Sequence, residues 1–475
     1  MVEWIVIWCC LWTICILSYT LYIKQKLNKN KSRVDNFQKD QSILTFGFFH
    51  PYCSAGGGGE RVLWLEVCHL LENFPSCKII IYTSEETTVD ALTEKVYRQF
   101  GIRVLPKFSL VFLESSFLLE PKEYPWFTLL GQAIGSMFVA IEALLRYTPN
   151  CFVDTTGFPA SMSIARFCFG CYVVCYVHYP TVSKDMLQVV RQRQVKYNNR
   201  TFIAKSYLAT QCKLFYYRVL MFLYFLTGKC ADVVMVNSSW TKQHISVMWK
   251  PEYLQIVYPP CSVKTLLDFC LSGRKRHWIV SLSQFREEKN HILQLFIIQK
   301  LVQQHEEKDL QDFCLVMMGS TRNEQDVERV SQLQKLAGDL NIASYVRWVI
   351  NASHEQIYNY LSKAAIALHT MRDEHFGISV VEFMAAGVIP IAHRSGGVAK
   401  DIITHEQNGY LASNLEEYVA ILERLLFQLS EEQLHSIQCN MRTRVAEFSD
   451  ETFASEFTKH LLFPRCSPVV EYKKL

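Results

Sequence analysis

The sequence predicts an α/β protein. Two Rossmann-like, doubly wound domains face each other across a cleft, behind an N-terminal transmembrane helix. Three observations lead there. From residue 43 onward, short apolar runs alternate with longer helical patterns. The alternation restarts near Ile256 with a second series of similar size. Ahead of both, residues 4–23, WIVIWCCLWTICILSYTLYI, hold no charged residue.

The N-terminal segment comes first. As a helix, those 20 residues extend about 30 Å, enough to cross a hydrocarbon core. A cleaved signal peptide is the rival, but no basic residue precedes the run and no small-x-small site follows it. A basic juxtamembrane linker, 24–42, carries Lys24, Lys26, Lys29, Lys31 and Arg33 before the first acid, Asp35. Positive charge stays on the cytosolic side, so residues 1–23 anchor a body expected in the cytosol.

The first domain, 43–255, has strand candidates at 43–49, 78–84, 109–115, 151–156, 171–179 and 232–238. The second, 256–447, has them at 277–283, 313–320, 345–351, 364–370 and 388–394. Near-continuous apolar, β-branched runs are what parallel strands covered on both faces require. A tail, 448–475, is expected to pack its first part back on the N-terminal domain. Residues 127–145 and 214–228 are apolar but contain Glu142 and Arg218. Buried or interfacial helices fit them better than spans, and this half of the protein is expected to rest on the bilayer.

A formal charge of +4 over 475 residues gives no case for nucleic acid as a partner. The 17 cysteines are irregularly spaced. Reduced, buried thiols of a cytosolic domain account for Cys168, Cys171 and Cys175. Zinc would need a second pair at ligand spacing, and no convincing one is present.

Four stretches could carry chemistry. Gly56 to Gly59 lie between a strand and a helix start, where backbone can approach an anion or only turn. The pattern matches neither a dinucleotide fingerprint nor a P-loop. In SLSQFREEKNH (281–291), Arg286 and Lys289 are three apart, on one face if they open a helix. They suit a diphosphate, or form a solvated cluster with Glu287 and Glu288. In HTMRDEHFGISVVEFMAAGVIPIAHRSGG (369–397), Glu374 and Glu382 flank a helix start near Gly377. Carboxylates accept from vicinal hydroxyls, and Gly377 could expose donors to phosphate; two unrelated surface acids are the alternative. Glu382 sits in an otherwise apolar helix, where an unpaired acid is costly. His178 ends a strand, a place where ligands gather, although a lone histidine is often structural. No D-x-D or HExxH motif offers a metal site.

Together the Gly-rich first loop, Arg286-x-x-Lys289 and Glu374-x-Phe376-Gly377-x-x-x-x-Glu382 resemble glycosyltransferase family 4. FFHPYCSAGGGGERVLW, YVHYPT, VVMVNSSWT, IVYPPC and LHTMRDEHFGISVVEFMAAG extend the resemblance from about residue 43 to about residue 412. The resemblance implies the GT-B architecture and a retaining, metal-independent hexosyltransferase without a cofactor. It implies a single-span protein of the endoplasmic reticulum membrane, with catalytic domains in the cytosol. The implied reaction adds the fourth and fifth mannoses, both α-1,2, from GDP-mannose to dolichyl-diphosphate-linked Man3GlcNAc2, in lipid-linked oligosaccharide synthesis for protein N-glycosylation. Other mannosyltransferases of that pathway would be possible partners.

By the same resemblance, Arg286 and Lys289 hold the GDP diphosphate, Glu382 the ribose and Glu374 the mannose. Ser283, Phe376 and Gly377 line the donor, Gly57, Gly58 and Gly59 approach its diphosphate, and His178 lines the reaction centre. A family Gly-Gly-Pro is here Gly396-Gly397-Val398, which should loosen that loop. The alternatives are another α-mannosyltransferase of the pathway or a non-catalytic sugar-nucleotide-binding protein.

Overall fold

A computed structural model describes residues 44–181, 190–192, 206–306 and 308–462. The anchor expected at 4–23, the linker at 24–42 and the tail beyond 462 lie outside the described residues.

The chain divides into two compact units. The first comprises the chain up to Val236, Lys242–Gln255 and the residues from Phe457 on; the second comprises Asn237–Thr241 and Ile256–Glu456. Asn237–Thr241, expected within the first domain, therefore belong to the second unit. There the Ser239 N–H donates to Asp401 Oδ2 at 2.9 Å, and the Trp240 ring lies 5.3 Å from that of His375. The C-terminal part of the last helix belongs to the first unit, where His460 Nδ1 lies 2.7 Å from the Tyr253 hydroxyl.

The first unit is built on a parallel sheet of β1 (Thr45–Phe49), β2 (Lys78–Thr83), β3 (Phe108–Phe112), β4 (Cys151–Asp154), β5 (Tyr172–Val177), β6 (Val233–Val236) and β7 (Leu254–Ile256). Their order is β3-β2-β1-β4-β5-β6-β7. Six coincide with apolar runs read from sequence, and the interiors of β4 and β6 are wholly buried. Strand β7 is three residues at the sheet edge, too short to leave a pattern. Helices α1 (Gly58–Asn73), α2 (Val89–Phe100), α3 (Thr128–Arg146), α4 (Pro159–Phe167), α5 (Tyr207–Gly228) and α6 (Ser239–Met248) accompany the sheet, α6 beginning in the second unit.

The second unit repeats the plan with β8 (Lys275–Leu282), β9 (Cys314–Gly319), β10 (Val346–Ile350), β11 (Ala364–His369), β12 (Ile389–His393) and β13 (Tyr410–Ala412). The order is β10-β9-β8-β11-β12-β13, and again the pairings are parallel. Strand β13 is the second three-residue edge strand that the sequence reading passed over. The unit's longer helices are α7 (His291–Gln304), α8 (Glu324–Asp339), α9 (His354–Leu361), α10 (Ile378–Ala386), α11 (Leu415–Glu423), α12 (Glu431–Val445) and α13 (Asp450–Leu462).

Each sheet is wound outward from its middle in both directions. The first reverses between β1 and β4, the second between β8 and β11. Such a reversal parts two neighbouring loops at the strands' carboxyl ends and opens a crevice there. The stretches after β1, β8 and β11 are those singled out for their chemistry.

Among the described residues one helix, α3, is long and apolar enough to cross a membrane. One face packs Val139, Ala140, Ala143 and Leu144 into the unit, while Ile134, Phe138 and Leu145 are exposed. Its Glu142 is not stranded. It accepts from the N–H groups of Glu114 and Ser115 at 2.9 and 3.0 Å and pairs with Arg146 at 3.0 Å. Tyr216 of α5 bridges the two helices, its hydroxyl accepting from the Leu130 N–H at 3.3 Å. The outer side of α5 exposes Leu208, Phe215 and Phe222.

One buried acid is different. Glu66 of α1 is 1% exposed and neither oxygen has a hydrogen-bond partner. Burial raises its pKa well above the usual value, so the folded protein keeps a proton that the unfolded chain releases. Stability should therefore fall as pH rises above the ordinary glutamate range. Replacing Glu66 by Leu removes an unsatisfied group worth about 1–3 kcal/mol. We expect Glu66→Leu to raise the unfolding midpoint and to flatten its decline between pH 5 and pH 8; a lowered midpoint would show that Glu66 has a stabilising role.

Candidate functional site

The loops beside the second switch point are Ser283–Asn290, after β8, and Thr370–Gly377, after β11. One ion pair joins them: Lys289 Nζ lies 2.6 Å from Glu374 Oε2. His369 Nε2, at the end of β11, is 3.3 Å from the same oxygen. Burial alone would raise the Glu374 pKa, but the His369 imidazole and the Lys289 ammonium outweigh it and hold the carboxyl well below the usual range. Glu374 is thus an ionised, nearly buried carboxylate.

Thr370 makes a second stitch. Its hydroxyl lies 2.9 Å from the Lys289 carbonyl and 3.1 Å from that of Asn290, and accepts from Gln294 Nε2 at 3.0 Å. A carbonyl only accepts, so the hydroxyl donates into the loop and the Gln294 amide supplies the remaining bond. Behind it, His291 is buried and lies 3.0 Å from Ser283 Oγ. Burial, with Lys289, Arg329 and His369 nearby, lowers the His291 pKa to about 4, so this imidazole is neutral.

Arg286 and Lys289 do not share the first turn of α7, as their spacing suggested. Glu287–Lys289 is a single 3₁₀ turn, Asn290 takes the left-handed conformation at φ 54°, and α7 starts at His291. That residue breaks the helix between the two cations and α7. Arg286 flanks the turn in extended conformation, its Nε 2.7 Å from Glu288 Oε1. Both cations still lie in the loop that opens the crevice.

Gly377 caps α10 at φ 111°, a conformation open to glycine but strained for other residues. Glu374 precedes this helix start and half-buried Glu382 lies on α10. Phe376 differs from expectation. Its ring is buried 5.7 Å from Tyr258 and 5.4 Å from Phe448, so toward the crevice it has only backbone to offer.

The loop at Val398 also differs from the loosened loop expected without proline. Gly397 N–H donates to the Glu374 carbonyl at 2.7 Å, and Asp373 N–H to Ser395 Oγ at 2.8 Å. A Cβ on Gly397 would stand 2.1 Å from the His375 carbonyl oxygen. Val398 is buried beside Gly377. The glycine pair is the floor on which the Glu374 turn lies, and buried Val398 anchors its far end.

In the first unit, Gly57 caps α1 and its N–H donates to Glu60 Oε2 at 2.7 Å. Gly58 and Gly59 form the first turn of α1. A Cβ on Gly59 would touch the His178 imidazole at 3.5 Å. His178 Nε2 lies 3.1 Å from the Thr155 carbonyl; a carbonyl only accepts, so that nitrogen donates. Gly57, Gly58, Gly59 and His178 thus gather at the first switch point, and Ser283, Arg286, Lys289, Glu374 and Gly377 at the second. Sequence reasoning missed His50, Glu60, Thr155, His369 and Thr370. Their only signal was position, at the end of a strand, just after one, or at the third residue of a helix.

The comparisons with known proteins agree on the kind of chain this is. Residues 43–249 match a family model described as "ALG11 mannosyltransferase N-terminus", and residues 271–444 match "Glycosyl transferases group 1". A Homo sapiens protein named GDP-Man:Man(3)GlcNAc(2)-PP-Dol alpha-1,2-mannosyltransferase is 41% identical over 94% of this chain and 92% of its own length. A Dictyostelium discoideum protein of the same name is 39% identical over 89% of this chain and 85% of its own. Among solved structures, a glycosyltransferase from Rickettsia africae superposes with a TM-score of 0.61 at 14% identity, covering 89% of this chain and 98% of that one. That likeness is one of fold, the GT-B fold of two Rossmann-like domains.

Proposed function

We propose, for a chain that belongs to the family of GDP-Man:Man(3)GlcNAc(2)-PP-Dol alpha-1,2-mannosyltransferases, that it transfers mannose from GDP-mannose to dolichyl-diphosphate-linked Man3GlcNAc2. It adds the fourth and fifth residues in α-1,2 linkage, with retention and without a metal. The observation that supports a diphosphate leaving group is the placement of two cations, Arg286 and Lys289, in the loop after β8 of the second unit. Lys289 is held 2.6 Å from Glu374, yet an ammonium has three donors and one carboxylate oxygen engages one of them. Arg286 adds a fork suited to phosphate oxygens.

The residue roles follow. Arg286 and Lys289 take the diphosphate, and Gly377 turns the N-terminus of α10 toward it. Glu382 accepts from the ribose hydroxyls and Glu374 from the mannose. Ser283 and the Phe376 backbone complete the donor site. Gly57 to Gly59 and His178 of the first unit keep the roles the family resemblance implies, backbone approach to the diphosphate and lining of the reaction centre. As the bond from mannose C1 to the phosphate oxygen breaks, charge grows on the leaving diphosphate, and fixed cations lower the barrier. An acceptor hydroxyl oxygen bonds to C1 from the same face, and its proton passes to the departing phosphate oxygen.

The enzyme works at the endoplasmic reticulum membrane, anchored by residues 4–23, with its two units in the cytosol. The apolar outer sides of α3 and α5, with Phe138, Phe215 and Phe222 exposed, and the exposed Trp126 just before α3, lie on the bilayer that carries the acceptor.

With GDP-mannose and synthetic lipid-linked Man3GlcNAc2, the chain should yield a pentamannosyl product with two new α-1,2 linkages. Arg286→Ala should lower turnover on the order of 10²–10³-fold with an unchanged melting profile. Near-normal turnover would remove the diphosphate assignment. For the membrane face, a fragment lacking residues 1–40 should sediment with liposomes, and Phe138→Ser with Phe222→Ser should weaken that; a fragment that stays in the supernatant would show that the anchor alone holds the protein.

A further inference from the structure

His50 and Thr155 flank the first switch point, each the residue after its strand, β1 and β4. Both are buried, 2% and 0% exposed. His50 Nδ1 lies 2.6 Å from Thr155 Oγ1. On the other side of the ring, Nε2 is 3.6 Å from Glu60 Oε1, and the second oxygen of Glu60 accepts the Gly57 N–H. The Thr155 carbonyl in turn accepts from His178 Nε2. A continuous chain of polar contacts therefore runs from the glycine-rich helix start to His178.

Charge decides how the chain is wired. A carboxylate faces Nε2, so in the neutral ring Nε2 bears the hydrogen and Nδ1 accepts from the Thr155 hydroxyl. The Glu60 carboxyl agrees: burial pushes its pKa up, but the His50 imidazole beside it and the backbone N–H groups of Glu60 and Gly57 hold it below the usual value. Asp154, the other acid near His50, is engaged elsewhere. Its Oδ1 accepts from the Thr156 N–H, the Thr156 hydroxyl and the Gly157 N–H at 2.9, 3.0 and 3.1 Å.

We propose that His50 is a positioning residue for glycosyl transfer: it ties the glycine-rich start of α1 to the end of β4 and so fixes the Thr155 carbonyl that orients His178. This rests on the reading of His178 as part of the reaction centre. His178 Nε2 donates to the Thr155 carbonyl. That carbonyl belongs to a residue whose side chain is held by His50. Asp154 holds the turn after β4 from within, and the Thr155 hydroxyl bond is its tether to His50 after β1; losing that tether lets the turn move relative to β1, and a displacement near 1 Å at a reacting group costs about 10²-fold in rate.

The test uses the full-length enzyme with GDP-mannose and the lipid-linked acceptor. Thr155→Val keeps the shape and removes the hydroxyl; Thr155→Ser keeps the hydroxyl. His50→Ala and Thr155→Val should each lower kcat about 10²-fold with KM for GDP-mannose nearly unchanged, and Thr155→Ser should stay near the parent. If His50 acts through His178, adding His50→Ala to a His178→Ala enzyme should lower kcat no further. Multiplying effects in the double variant, or a normal kcat in Thr155→Val, would overturn the proposal while leaving the His178 reading in place. A normal kcat in His178→Ala would remove both. Should His50→Ala fail to fold, the Thr155→Val and Thr155→Ser pair decides.

Discussion

An ammonium held against a carboxylate where the second sheet reverses its winding is the contact on which the rest of the site depends. Taking both charges out of water costs several kcal/mol per ion, and their attraction alone does not ensure a gain. The fold meets that cost with geometry. His369 stands beside the carboxylate, Thr370 pins the loop that carries Lys289, and Gly396 and Gly397 let the Glu374 turn lie on bare backbone. A side chain on either glycine would displace the turn and separate the pair. The Lys289 ammonium is thus held in place by the fold itself.

The same constraint explains what the sequence made legible. Parallel strands covered on both faces must be apolar throughout, so eleven of the thirteen strands among the described residues stood out as runs. The two missed, β7 and β13, are three-residue edges. Because the fold is doubly wound, the loops after β1, β8 and β11 were also readable as ligand-facing. Local conformation was harder. Nothing in REEKNH announces that Asn290 turns left-handed and sets Arg286 and Lys289 ahead of α7 rather than on it. Phe376 sits in a motif that suggests a ligand, but its ring has aromatic partners at Tyr258 and Phe448, far away in sequence.

Polar networks were the least legible. His50 and Thr155 are 105 residues apart and meet only because β1 and β4 pair across the switch point. The reverse holds for Glu66. It reads as an ordinary helix acid, and only the packed structure shows that neither oxygen has a partner. Composition alone also leaves α3 and α5 ambiguous between core and membrane. Their structure divides each into a packed side and an exposed apolar side, and places Glu142 where it caps a neighbouring turn.

The central claim is that the loop bearing Arg286 and Lys289 recognises a diphosphate rather than the nucleoside alone. Calorimetric titration of the full-length protein with GDP and with GMP tests it most directly. GDP should bind at least about tenfold more tightly than GMP, roughly 1.4 kcal/mol, and Arg286→Ala should remove most of that difference. Equal affinities for the two nucleotides, or a preference for GDP that survives in Arg286→Ala, would contradict it.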